Sequence, residues 1–335
     1  MMSLVHKTKQ RLLQSPTFQK VLLSLPGKAL DFRKIHSISF EVTSVCNLRC
    51  PFCPVGQGKV AKGLMTLEDH KTIIDKIPST VKRLRYSYRG DPSMNPNWVK
   101  MVKYASSKGF YTYVSTNGVV LKRYAKELAE SGLHRLMIAI DGATQETLTK
   151  YRVGSNIGLI KEGIRLLVEE RKKSKTKSPK DIMIQTVISR NNEHEIPVMQ
   201  ELARELGVDR IKFKTLAVKL GEDWEMKGKD EQLDFLPRNK AYWRTGEGVV
   251  ICPGLSETVI LHNGDLGVCC NDYQGKLIYG NLLKQTWEDI FTSPKYYAMR
   301  RQMIKKGFTM CKDCSITGEY WIPDISLNFG NTAKK

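Results

Sequence analysis

Ile38-Ser39-Phe40-Glu41-Val42, followed closely by Cys46-Asn47-Leu48-Arg49-Cys50-Pro51-Phe52-Cys53, is the stretch on which the reading of this chain turns. Its first part alternates apolar and polar residues and reads as a strand; its second sets three thiols on one short loop just beyond that strand. Thiolates spaced Cys-x3-Cys-x2-Cys suit an iron-sulfur cube whose remaining iron has no protein ligand and stays open to another molecule. Structural zinc is the competing reading. It takes a closed set of four ligands, usually as two pairs, and no further Cys or His stands beside this loop.

Outward from that stretch, residues 36 to about 218 alternate short apolar strands with amphipathic helices, the signature of parallel βα units. Six strands are expected, near 38–43, 83–88, 110–115, 135–141, 182–188 and 210–215. Thr66-x-x-Asp69 is a capping-box-like helix start, and Gly109, Gly132 and Gly207 each fall where a helix gives way to a strand. Ile160, Ile164, Leu167 and Val168 form one helical stripe and Met199, Leu202, Ala203 and Leu206 another; such stripes are core. Six units are too few to close an eight-stranded barrel, so the expected fold is α/β, a partial (β/α)6 TIM-like barrel over residues 36–218. Around it the sequence divides into a basic helical extension (1–35), a connector rich in Lys, Glu, Asp and Gly (219–248), a second, small cysteine-bearing domain (249–318) and a polar tail (319–335).

At 335 residues, 41% hydrophobic and 26% charged, the chain suits one large domain and a smaller one. Eight cysteines without a secretory leader argue for metal ligation in a reducing compartment, the cytoplasm. Val21-Leu22-Leu23, the longest apolar run of the extension, is too short for a signal core or a membrane span. The extension's apolar stripe, including Leu12, Phe18 and Leu22, packs on the body in this reading; peripheral membrane contact is the other use of a stripe flanked by cations. A net charge of +20 raises the question of nucleic acid. Its densest run, Arg171-Lys172-Lys173-Ser174-Lys175-Thr176-Lys177, falls between a helix and the next strand, on the barrel face opposite an active site, and reads as a solvated loop.

Polar and glycine motifs fall at successive strand ends, where barrel enzymes place their chemistry. Strand two ends in Arg89-Gly90-Asp91-Pro92, strand three in Ser115-Thr116-Asn117-Gly118 and strand four in Asp141-Gly142. Each alone is an ordinary turn sequence; their recurrence behind a thiol triplet argues for one site. On these residues the chain, from Ile38 to Cys314, resembles the radical S-adenosylmethionine (SAM) superfamily, and Phe52 supplies the aromatic that the family places before its last cysteine. The resemblance implies that Cys46, Cys50 and Cys53 hold a 4Fe-4S cluster whose open iron chelates the amino and carboxylate groups of SAM. Gly90 and Asp91 stand in for the family's Gly-Gly-Glu-Pro motif, which holds the methionine ammonium. By the same resemblance Ser115, Thr116 and Asn117 are ribose or carboxylate contacts, and Arg152 faces the carboxylate. Arg89 in place of the first glycine, Asp91 in place of glutamate and Ala139 on strand four depart from the family pattern. The implied chemistry is reductive cleavage of SAM to a 5′-deoxyadenosyl radical that removes hydrogen from carbon, with a flavodoxin or ferredoxin as electron donor.

Cys252, Gly264-x4-Cys269 and Cys311-x2-Cys314 resemble the SPASM and twitch auxiliary-cluster modules. No cysteine follows Cys314, so the one-cluster twitch type fits: Cys252, Cys269, Cys311 and Cys314 would ligate one auxiliary 4Fe-4S cluster, with Cys269 and the spare Cys270 interchangeable on spacing. Zinc again competes, through the paired Cys-x2-Cys. Asp272 is a candidate base for a proton leaving a substrate radical, against its commoner use as a turn cap. Gln185, Lys212 and Lys214 alternate toward the cavity, and His194 belongs to a helix start. The implied function is oxidation or epimerisation of a small polyol, aminocyclitol or sugar, since 35 residues ahead of the first strand are too few for a peptide-recognition domain. A peptide maturase making a crosslink, thioether or epimerised residue is the alternative; a metal-cluster nucleic-acid-binding protein is a third reading, which leaves the strand-end motifs unexplained.

Overall fold

Strand β1 (Ser37–Phe40) lies in mid-sheet, paired in parallel on both flanks, and the rest of the chain is laid out around it. The computed structural model describes residues 35–215, 235–239, 242, 252–305, 307–312 and 325–329. Cys314, nearly all of the N-terminal extension and most of the connector and tail lie outside the described residues. After β1 come α1 (Leu67–Lys76), β2 (Arg83–Tyr86), α2 (Trp98–Ser107), β3 (Tyr111–Thr116), α3 (Leu121–Ala129), β4 (Arg135–Ala139), α4 (Gln145–Tyr151), α5 (Ile157–Lys173), β5 (Asp181–Ile188), α6 (Ile196–Glu205) and β6 (Arg210–Thr215). The second part supplies β7 (Glu257–Ile260), β8 (Asp265–Gly267), β9 (Ile278–Asn281), α7 (Trp287–Phe291), α8 (Pro294–Ile304), α9 (Thr309–Lys312) and β10 (Leu327–Asn328).

The ten strands form one sheet in the order β10-β6-β5-β4-β3-β2-β1-β7-β8-β9. Strands β1 to β6 are mutually parallel neighbours, the geometry that βα crossovers produce, and they fall where the alternation placed them. This is a parallel-rich α/β sheet of partial-barrel type. One feature of the sheet was not visible in the sequence: β7, from the second cysteine-bearing part, pairs in parallel with β1, so that Phe40 lies opposite both Tyr86 and Ile260. The small domain therefore extends the barrel's own sheet.

The strands hold their register because their apolar sets are sealed under helices. Ile38, Phe40, Leu84, Tyr86, Val114, Leu136, Ile138 and Ile184 are all fully buried. Ile160, Ile164 and Leu167 on α5 and Met199, Leu202 and Ala203 on α6 are the inward stripes, each of the larger side chains contributing roughly 1.5–3 kcal/mol of burial. At the start of α1, Thr66 Oγ1 accepts the Asp69 N–H at 3.0 Å and donates to the Asp69 carboxylate at 2.7 Å. The basic run, expected as a solvated loop, begins inside α5: Arg171, Lys172 and Lys173 form its last turn, where cations suit the helix C-terminus, with Arg171 paired to Asp209 and Lys173 to Glu170. Only Ser174 to Lys177 follow as loop, with Lys175 and Lys177 exposed. His194 lies in a short 3-10 turn leading into α6. Among the described residues no helix is long and apolar enough to cross a membrane.

Beneath β1 and β2, His70 of α1 is fully buried, its Nε2 2.9 Å from the Tyr86 hydroxyl. Burial disfavours the imidazolium and holds the pKa down at about 3. Between pH 6.5 and about 3 the unfolded chain binds a proton here that the folded chain refuses, so stability falls as pH falls through that window. Urea titrations at stepped pH should show this one-proton slope, about 1.4 kcal/mol per pH unit, in the wild type and lose it in His70→Gln; identical slopes in both would refute the assignment.

Candidate functional site

The thiol loop leaves the sheet just past β1 and is closed at its base before it reaches the first cysteine. Ser44 N donates to the Gly63 carbonyl at 3.0 Å, Ser44 Oγ to the Ala61 carbonyl at 2.7 Å, and Asn95 Nδ2 to the carbonyls of Val42 and Met65 at 2.8 and 2.9 Å. Inside the loop, Cys53 N–H donates to the Cys50 carbonyl at 3.2 Å and Leu48 N–H to Cys46 Sγ at 3.4 Å. Gly56 completes the wrap: a Cβ there would sit 2.7 Å from both the backbone N and the carbonyl oxygen of Cys50, closer than real carbon contacts allow. Gly90 makes the next close approach, with φ of +68° and a would-be Cβ 2.4 Å from the Thr43 carbonyl oxygen. Only glycine lets the end of β2 back onto the start of the thiol loop in that conformation.

Cys46, Cys50 and Cys53 share a cavity of about 470 Å³ with residues from the ends of β2 to β6. Every predicted contact of the first site lines it: Phe52, Gly90, Asp91, Ser115, Thr116, Asn117 and Arg152. Gln185 and Lys214 line it as the strand alternation required, while Lys212 is not among the lining residues; Ala139 leaves room on β4. The carboxylate of Asp91 is already engaged. It accepts Ser93 N–H at 3.0 Å, Ser93 Oγ–H at 2.5 Å, Thr116 Oγ1–H at 2.9 Å and Asn117 N–H at 2.7 Å, which binds the end of β2 to the end of β3. Asn117 Nδ2 in turn donates to Asn47 at 2.8 Å and lies 3.9 Å from Cys46 Sγ. Arg152 Nε donates to the buried Asp141 carboxylate at 2.5 Å, whose other oxygen takes the Val187 N–H at 2.7 Å.

Electrostatics at the triplet follow from this packing. Burial pushes the Cys46 thiol up to about 12, eased by the Leu48 N–H and reinforced by Asp91 and the other two sulfurs. Burial also raises Cys50, with the Arg152 guanidinium pulling the other way. Neighbouring thiolates in a dry site repel one another, and a cationic iron-sulfur core is what relieves that repulsion; the donor set therefore fits a cluster. Among the described residues no three thiol, imidazole or carboxylate side chains converge on a point that a single ion would occupy. A cube presents a separate iron to each sulfur, and thiols along one loop meet that need. Over the loop, the Phe52 ring meets Phe235 edge-on at 4.8 Å and Tyr151 at 6.0 Å, and Leu236 packs there with Val187. Phe235 and Leu236 had no signal in the sequence, because they come from the connector that the composition marked only as polar.

Of the second thiol set, Cys252, Cys269 and Cys270 lie together beside β7 and β8. A hydrogen bond with Cys270, and then burial, raise the Cys269 thiol well above its ordinary range, with Cys252 adding its charge. Cys270 acts also on Tyr88, a wall residue of the first cavity. Cys311 begins from a turn in which its N–H meets the Phe308 carbonyl at 2.8 Å, and Cys314 lies outside the described residues. Asp272 is placed as a turn cap: its oxygens accept Lys276 N–H at 3.1 Å and Leu277 N–H at 2.6 Å. A second cavity, of about 790 Å³, opens between Lys59, the 271–277 segment and residues 307–310. Sequence reading passed over Glu41, which is buried and accepts both Arg89 and His262; an acid within an otherwise strand-like run was the one available hint.

Residues 40–203 match the family model of the radical SAM superfamily, and residues 252–315 match SPASM, described as an iron-sulfur cluster-binding domain. A relative from Pyrococcus furiosus, the tungsten-containing aldehyde ferredoxin oxidoreductase cofactor-modifying protein, is 26% identical over 310 residues, 82% of this chain and 86% of its own length. The AdoMet-dependent heme synthase of Methanosarcina barkeri is 31% identical over 173 residues, 51% of this chain and 47% of that protein. Among solved structures, Streptococcus suis SuiB bound to S-adenosylmethionine superposes with a TM-score of 0.60 at 13% identity, covering 80% of this chain and 68% of that one, a likeness of fold.

Replacing Gly56 with alanine should push the backbone of Cys50 aside and cost the protein its iron. Iron and sulfide analysis after anaerobic reconstitution should show the loss of about one cluster's worth of metal with the far-ultraviolet spectrum unchanged; full iron loading of Gly56→Ala would show that the close approach does not matter.

Proposed function

We propose that this chain, which belongs to the radical SAM superfamily and carries a SPASM iron-sulfur domain behind its barrel, abstracts hydrogen from a carbon of a small hydroxylated substrate and completes an oxidation or epimerisation. The observation that carries the reading is the single cavity in which three thiols, Arg152 and polar residues from four strands, β2, β3, β5 and β6, meet. Cys46, Cys50 and Cys53 would hold the first cluster, and Cys252, Cys269, Cys311 and Cys314 the auxiliary one. Bound cluster and SAM supply one-electron cleavage of a sulfonium to a 5′-deoxyadenosyl radical.

The rest is done by residues of the chain. Gly90, bare of side chain, and Asp91 beside it shape the floor on which the methionine end of SAM would lie, Asp91 acting as the brace that aims Thr116 and Asn117. Ser115 offers a hydroxyl from the wall. Arg152, fixed by Asp141, places positive charge beside Cys50 and toward a carboxylate. Phe52, Tyr151 and Phe235 cover the thiol loop with rings, which excludes water and stray hydrogen donors. Gln185 and Lys214 give an amide and a cation suited to hydroxyl or amino groups of a polyol, aminocyclitol or sugar. Asp272, held by two backbone N–H groups, supports the auxiliary loop in this reading. A flavodoxin or ferredoxin would deliver the electron, in the cytoplasm.

A peptide substrate is the second reading, favoured by the 790 Å³ cavity beside the auxiliary segments, whose Lys59, Tyr273, Lys276 and Phe308 would accommodate a longer molecule.

Anaerobic reconstitution with SAM and a reductant should release 5′-deoxyadenosine, and a triple Cys46→Ala/Cys50→Ala/Cys53→Ala variant should release none. Deuterium from labelled polyols, aminocyclitols or sugars should appear in that deoxyadenosine. Label arriving only from peptides would replace the first reading by the second, and material that binds zinc alone at the triplet would end both.

A further inference from the structure

Two consecutive side chains at the end of β2 reach two consecutive carbonyls behind the thiol doublet. The Tyr88 hydroxyl donates to the Asp272 carbonyl, and Arg89 Nη1 donates to the Tyr273 carbonyl at 3.0 Å. Arg89 is itself gripped from behind: Nε and Nη2 donate to the two carboxylate oxygens of Glu41, Nη2 at 3.0 Å. The Glu41 side chain has no exposed surface and also lies 2.6 Å from His262 Nδ1. The guanidinium sits over the Tyr88 ring, 5.1 Å from its centroid. The connection therefore runs without a break from the end of β1, through the end of β2, to the loop that bears Cys269 and Cys270.

That loop leaves the sheet at its base. Pairing between β8 and β9 ends at Gly267 opposite Ile278, and the neck is closed by Val268 N–H on the Leu277 carbonyl at 3.0 Å. Within it Asp272 takes the Lys276 and Leu277 N–H groups, and its own carbonyl is the one that Tyr88 holds. Tyr88 at the same time walls the cavity of the thiol triplet. A buried carboxylate such as Glu41 is tolerated only while its cation stays in place, so the Arg89 fork has one stable position.

We propose that Tyr88 and Arg89 are positioning residues that lock the Cys269–Cys270 loop against the reaction cavity, so that the strand ends of the barrel set how far the second thiol set stands from the substrate. Arg89, which departs from the family's glycine at this position, is the anchor, and Tyr88 is the shared wall. The lock is read from geometry alone; its consequence for electron exchange with the auxiliary cluster rests on the function proposed above.

Full-length, anaerobically reconstituted wild type, Tyr88→Phe, Arg89→Gln and Arg89→Lys test it by hydrogen exchange resolved over residues 268–277. Loss of a lock bond should speed exchange of the Lys276 and Leu277 amides about five- to tenfold in Tyr88→Phe and Arg89→Gln, less in Arg89→Lys, and leave α5 unchanged. In the same samples the electron paramagnetic resonance signal of the auxiliary cluster should shift, and more deoxyadenosine should be spent per product. Wild-type protection in Tyr88→Phe, which keeps the ring and removes one oxygen, would overturn the proposal even if Arg89→Gln does not fold. Faster exchange in variants of a protein that yields no deoxyadenosine would keep the lock and remove the proposed function.

Discussion

The parallel pairing of β1 with β2 on one flank and β7 on the other is the constraint from which the rest of this structure follows. Parallel neighbours present the same ends to the same edge of the sheet. The loop beyond β1 carries the first thiols and the turn beyond β7 carries His262, so one buried carboxylate, Glu41, can serve both. An antiparallel β7 would have sent His262 to the far edge. Because β7 continues the barrel's sheet, the thiol loop of the iron-sulfur domain is referred to the same strand ends as the cavity.

At those strand ends the chain buries acids and satisfies each of them internally. Glu41 takes Arg89, Asp91 takes Ser93, Thr116 and Asn117, and Asp141 takes Arg152 and the Val187 N–H. Burying a carboxylate is expensive unless its oxygens are filled, and once filled it admits little movement. Residues that motifs or strand alternation nominate as ligand contacts are thereby divided into two kinds. Some, such as Ser115, Gln185 and Lys214, present groups to the cavity; others, Asp91 foremost, hold the first kind still. Such division is what preorganisation asks of a site that must exclude water around a reactive intermediate.

Much of this was legible before any coordinates. The six barrel strands and the stripes on α5 and α6 were read from periods of two and of three to four residues, and the structure has them in those places. The three-thiol loop and the auxiliary cysteine spacing led to the radical SAM and SPASM families, and Gly90, Asp91, Ser115, Thr116, Asn117 and Arg152 do line one cavity, while Asp141 of the strand-four motif stands behind Arg152. Less legible was what each polar residue touches. Arg89 reads in the sequence as a departure from a glycine motif and stands in the structure at the centre of a buried network.

What the sequence determined by itself was everything carried by near neighbours along the chain: helix and strand periods, the capping Thr66, and the close spacing of thiols that brings three sulfurs onto one loop. Tertiary structure alone decided that β7 joins β1 and that Glu41 meets Arg89 and His262, which lie 48 and 221 residues away. The reason is physical. A backbone period repeats a local geometry that any stretch of chain can express, whereas a buried charge takes its partner from whatever the fold sets within reach, and separation along the chain carries no record of that distance.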